Sequence, residues 1–142
     1  MRFLTKALVS ILVLLCVGGR PVIASSGVDL LNLLSLLGKD ETTATQEFSC
    51  TPRLISGNSS ARIICHSKVL GSIQFKSQSS KISEIMIKAS PFILSREDAE
   101  NQLLDKCQMK ADEYFKCEAG HEVSLTDTDK GTEIKFCHKF AC

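Results

Sequence analysis

At 142 residues, 44% of them hydrophobic and 23% charged, the chain is long enough for one domain with one modest core. Its formal charge of +1 excludes the strongly basic balance expected of a dedicated nucleic-acid binder. Seven cysteines point to an oxidising compartment.

Met1 to Ala24 has the anatomy of a secretory signal. Arg2 and Lys6 make a positive end, Ala7 to Gly18 an apolar run, and Val22 and Ala24 fill the small-residue positions before a cut at Ala24/Ser25. The run is short for a bilayer span, so the expected product is secreted and extracellular, with no stable membrane span. Cys16 leaves with the signal. What remains carries Cys50, Cys65, Cys107, Cys117, Cys137 and Cys142, an even set that predicts three disulfides of open connectivity. Without the signal the balance is 14 Lys+Arg against 16 Asp+Glu. Phe48 to Ser90 holds six cations and one anion, Glu84, whereas Pro91 onward holds seven cations and eleven anions. Attraction between the two segments within one fold accounts for this; a basic face for an anionic partner is the sharper alternative.

Val28 to Leu37 is aliphatic except for Asp29, Asn32 and Ser35, which fall three apart as one narrow stripe on a helix. So wide an apolar arc packs into the domain, docks on a partner or belongs to a removable pro-segment. A stripe without cations disfavours a membrane surface. Gly38 to Glu47 is polar, lacks periodicity and reads as a linker. Residues 25–47 are thereby set apart from a disulfide-bonded domain over 48–142. In that domain Arg62–Leu70 and Ser72–Lys76 predict a hairpin around Gly71, and Ile82–Ala89 a third strand that ends at Pro91. Ser95-Arg-Glu-Asp98 matches a helix-start pattern, and Ala99, Leu103, Cys107 and Ala111 recur every four residues. Together they predict the main helix, about 95–112, with Cys107 on its buried face. Strands follow around Tyr114–Cys117, His121–Thr126 and Thr132–Phe140, the last two divided by the loop Asp127–Gly131. The fold class is α+β, a small disulfide-stapled antiparallel sheet with one main helix. Asn58 stands in an N-x-Ser sequon within a Gly/Ser turn, a candidate glycosylation site.

Three triplets repeat one pattern: Phe48-Ser-Cys50, Phe115-Lys-Cys117 and Phe140-Ala-Cys142. Cys65-His66 and Cys137-His138 extend it, so that Phe48–His66 echoes Phe115–His138; duplication and coincidence are both open. A Phe two residues before a Cys shares its strand face, which suits a ring packed over a disulfide. With a secretory signal, an aromatic-x-Cys triplet (Phe48-Ser-Cys50) near the mature start and the closing Cys142, the chain resembles small secreted effectors of fungal plant pathogens. In powdery mildews many of these look like degenerate guanyl-specific ribonucleases, and Phe115 to Cys137 is similar to that family's opening segment. The main helix, however, follows three strands rather than one hairpin, and the basic charge of an RNA binder is missing. The resemblance implies a virulence protein that manipulates a host with little or no catalysis.

A ribonuclease needs a base and an acid flanking the 2′-oxygen and phosphate, plus a cation for the developing charge. His66, with Glu84, is the candidate pair; His121 and His138 are the remaining histidines, and Glu122, Glu133 and Arg62 the other possible partners. If Cys65 points inward, though, His66 points to solvent, and a solvated surface histidine is the commoner identity for it and for His138. Adjacent Cys-His pairs lack the usual zinc-ligand spacing, and oxidised cysteines do not bind metal, so no metal site and no cofactor are expected. Cys50-Thr-Pro-Arg-Leu-Ile55 would present Arg53 as a substrate-like loop of a serine-protease inhibitor, against the plainer reading of an exposed loop. The reading that follows is a secreted binding protein, effector or toxin-like, whose face toward a host or target protein carries Arg62, His66 and Lys68. Weak ribonuclease activity, with nucleic acid as partner, and protease inhibition are the alternatives.

Overall fold

The structure, a computed structural model, describes residues 28–51 and 60–139, with the backbone alone for residues 54–55. Met1–Ala24, Arg53, Asn58, Phe140 and Cys142 lie outside the described residues.

The strands are β1 (Ser49–Cys50), β2 (Leu54–Ile55), β3 (Ser60–Ser67), β4 (Gly71–Gln78), β5 (Lys81–Ala89), β6 (Cys107–Ala111), β7 (Tyr114–Cys117), β8 (Glu122–Thr128) and β9 (Gly131–Cys137). They form one antiparallel sheet in the order β1-β3-β4-β5-β9-β8-β7-β6, with β2 also on β3. The helices are α1 (Leu30–Ser35), α2 (Glu41–Glu47) and α3 (Arg96–Leu104). The protein is thus α+β and disulfide-stapled, with strands dominant.

Period-two alternation divides the sheet into two faces. Ile63, Cys65, Ile73, Phe75, Ile85, Ile87, Phe115, Val123, Leu125, Ile134 and Phe136 point inward and are buried. They share one core with Leu30, Leu33 and Leu34 of α1 and Ala99 and Leu103 of α3. The alternation breaks once, with a purpose. In strict register Ile82 would share a face with Glu84, but a bulge opposite Lys76/Ser77 makes Ser83 the extra residue. Ile82 therefore turns into the core and Glu84 faces out.

The Leu-rich segment is part of this core, and its polar stripe is used. Asp29 caps α1 by accepting from the Asn32 amide at 3.1 Å, and Asn32 Nδ2 donates to Glu47 Oε1 of α2 at 2.7 Å. From α3, Gln102 reaches across, accepting from the Leu30 amide and donating to the Val28 carbonyl, each at 2.9 Å.

Two expectations are corrected. Gly38 to Glu47 is not a linker: its first residues pair with β5 (Gly38 amide to Ile82 carbonyl, Ile82 amide to Lys39 carbonyl, both 2.8 Å), and the rest forms α2. Such a short helix is held by tertiary bonds that local propensity does not reveal. The main helix also stops at Leu104 rather than near 112. Its start is as expected, with Ser95 Oγ accepting from the Asp98 amide at 3.2 Å. Cys107, however, opens β6 directly opposite Cys117, and the Cys107–Cys117 disulfide joins β6 to β7. Cys107 and Ala111 satisfied a helical period by chance, for in the strand only Cys107 is buried.

The second disulfide, Cys50–Cys65, joins β1 to β3 across directly opposed positions. Cys137 is also oxidised. Cys117 pairs with Cys107 rather than with the second cysteine of the Phe115–His138 echo, so the two echoing stretches are not bridged alike. Among the described residues no helix is long and apolar enough to cross a membrane.

Turn chemistry fits unevenly. At the β3–β4 hairpin Gly71 has φ +76° and open space around it. At the β4–β5 hairpin, Ser79 and Ser80 take φ of 51° and 64° between paired Gln78 and Lys81. That conformation suits Asn-Gly, not Ser-Ser. The double change Ser79→Asn, Ser80→Gly should raise stability by about 0.5–1 kcal/mol, seen as a higher urea midpoint at unchanged slope.

Candidate binding face

Among the described residues no helix covers the outer face of the sheet, and the register lays its side chains in rows. One row reads Arg62, Lys76, Glu84, Cys137, Glu122, Lys116, Gln108 across seven strands. A second reads Ile64, Gln74, Met86, Lys135, Ser124, Tyr114. A third includes His66 beside Ser72, and Lys88 beside Glu133 and Thr126.

Opposite charges pair on this face. Glu84, 9% exposed at its side chain, lies 3.2 Å from both Lys76 Nζ and Lys135 Nζ. Its Oε1 lacks hydrogen-bond geometry, so Lys135 holds it as a charge rather than as a donor. Lys88 lies 3.9 Å from Glu133. The Glu122 carboxylate accepts from the Tyr114 hydroxyl and raises its pKa above the ordinary phenol value, with burial adding to the shift. Of these pairs only Lys88–Glu133 joins a cation of the first segment to an acid of the second; Lys135–Glu84 crosses in the opposite sense, and Lys76–Glu84 lies within the first segment.

Two recesses open on the face. One of about 230 Å³ is lined by Arg62, Lys76, Gln78 and Glu84 with Ser60 and Ser83. The other, about 300 Å³, is lined by Leu70, Ser72, Gln74, Met86 and Lys88. Ile64, Met86 and Tyr114 stand singly on this face among polar and charged side chains, a mixed surface of the kind that meets another protein.

Arg62 and His66 are exposed on the outer side of β3, and Lys68 is exposed in the turn after it. Arg62 makes no ion pair among the described residues. The three share one margin of the face. His66 and Glu84 do not come together: four residues along and two strands across place them about 16 Å apart. At that distance one phosphate could not contact both side chains. Among the described residues no three His, Cys, Asp or Glu side chains gather as a metal cluster.

What the structure does bring together is His121 and His138, with Nδ1 atoms 3.2 Å apart and ring centroids 4.9 Å apart. Both are half-buried, so the solvated surface position expected of His138 is not the one it occupies. Burial lowers the His121 pKa, and the positive charges of His138 and Lys139 lower it further. Seventeen residues of sequence separate the pair, and only the register of β8 on β9 signals it. No family model, curated protein or solved structure matches the chain.

Proposed function

We propose that the chain is a secreted binding protein that acts on a host protein, as a pathogen effector or toxin-like protein does, through the outer face of its sheet. The observation that carries this reading is the face itself: seven strands wide, free of helices among the described residues, with ion pairs across it and single apolar side chains between them. The signal-like opening and the even cysteine set support secretion. The distance between His66 and Glu84 weighs against catalysis, and Arg62, His66 and Lys68 form the basic margin that meets the partner.

A photocrosslinking side chain at Gln74 or Ser124 should capture one defined host protein, and Arg62→Glu with Lys88→Glu should lower the yield at least about tenfold. The same probe at Glu97, exposed on α3, should capture none. Capture from Glu97 but not from Gln74 would move the interface to the helices. Cleavage of fluorescent single-stranded RNA that disappears in His66→Ala would make the protein a nuclease instead.

A further inference from the structure

We propose that His121 and His138 form a binding site for Zn²⁺ or a like divalent transition metal, each ligating through Nδ1, with water in the remaining positions. The geometry carries the proposal. Two nitrogens at 2.0–2.1 Å from a tetrahedral ion stand about 3.3 Å apart, and these two stand at 3.2 Å. A linear ion would hold them about 4 Å apart, so two-coordinate metals fit poorly.

The backbone at both histidines is hydrogen-bonded in place. The His121 carbonyl accepts from the Cys117 amide at 2.8 Å, and its own amide donates to the Glu118 carbonyl at 3.3 Å. The His138 amide donates to the Ser83 carbonyl on the β5 bulge at 2.9 Å. Cys117 and Cys137, near the two histidines in sequence, are both oxidised, so the frame is covalently braced. Gly38 packs its backbone on the His138 ring: a Cβ there would lie 3.1 Å from Cε1. The His138 ring, packed this way, loses little freedom when it binds.

Neutral imidazole is the ligating form. Without metal, 3.2 Å fits one ring donating Nδ1–H to the other's Nδ1. On binding, the donor ring carries its proton on Nε2 instead, so both Nδ1 lone pairs face the ion and no net proton is lost. Lys139, whose charge acts on His121, opposes a cation here. Two protein ligands also leave the site open to exchange, unlike a closed four-ligand structural centre.

Calorimetric titration of the oxidised chain with Zn²⁺, without an affinity tag, tests this. One equivalent should bind, His121→Gln and His138→Gln should each weaken it at least about tenfold, and His66→Gln should leave it unchanged. Lys139→Glu should tighten it. Absence of Zn²⁺ binding by the unaltered chain, or equal affinity in both single variants and the unaltered chain, overturns the proposal. If a variant fails to fold, Co²⁺ titration of the unaltered chain decides. The His121 and His138 ring protons should broaden in the NMR spectrum before those of His66, and the reverse order overturns the site.

Discussion

A chain that begins at Phe48 will show no cooperative unfolding transition. Leu30, Leu33, Leu34, Leu36 and Leu37 are each at most 8% exposed, in the same core as the sheet. At roughly 1.5–3 kcal/mol per fully buried side chain they contribute about 8–15 kcal/mol as an upper bound. An entire domain is stable by only about 5–15 kcal/mol. Removal also breaks the Gly38 and Lys39 pairing with Ile82 and leaves Gln102 without its two backbone partners. Urea titration followed by circular dichroism, with the chain from Ser25 as reference, measures the effect. A sigmoidal transition of unchanged midpoint in the shortened chain would make 25–47 a detachable pro-segment. Leu30→Ala, a milder form of the same loss, should cost about 2–5 kcal/mol.

Gly131→Ala should cost about 2–4 kcal/mol, whereas Gly71→Ala should cost about 1 kcal/mol. Both glycines have positive φ, +139° and +76°. They differ in their neighbours. A Cβ on Gly131 would overlap the Ala89 carbonyl and approach Ser90 Cα at 3.0 Å, whereas Gly71 has nothing within 4 Å. Backbone cannot swing aside as a side chain can, so β9 must part from β5 where Thr132 pairs with Ala89. These strands lie mid-sheet, and thermal melts should show Gly131→Ala lowering Tm several times as much as Gly71→Ala. Equal shifts would mean that only the backbone conformation matters at Gly131.

Much of this architecture is legible in the residue pattern alone. Apart from β6, the strands after Ser60 announce themselves by alternation, and Ser95 announces the start of α3 by its capping pattern. Three features resist. Helix α2 depends on pairing with β5, which a polar ten-residue stretch does not disclose. The end of α3 is hidden because Cys107 and Ala111 fit a helical repeat and a strand equally well, and only the partner Cys117 decides. Ile82 enters the core by virtue of a bulge, so simple alternation misplaces it relative to Glu84. The candidate face is legible in part: Arg62 and His66 stand on it because Cys65 between them in sequence points inward. Its remaining members come from β4 to β9, and strand order, a non-local property, assembles them. The same holds for His121 and His138.

The two cross-strand disulfides lie at opposite ends of the strand order, β1 to β3 and β6 to β7. Marginal strands normally fray first, and they offer unpaired amides to proteases and to neighbouring chains. Here neither margin can peel away singly: opening must carry two strands at once, and the states in which a protease could seize extended backbone become rarer. Reduction removes that coupling and leaves the interior pairing untouched. The redox state of its surroundings therefore sets how readily this sheet is cut, and how readily two copies zip edge to edge, before any change in the core.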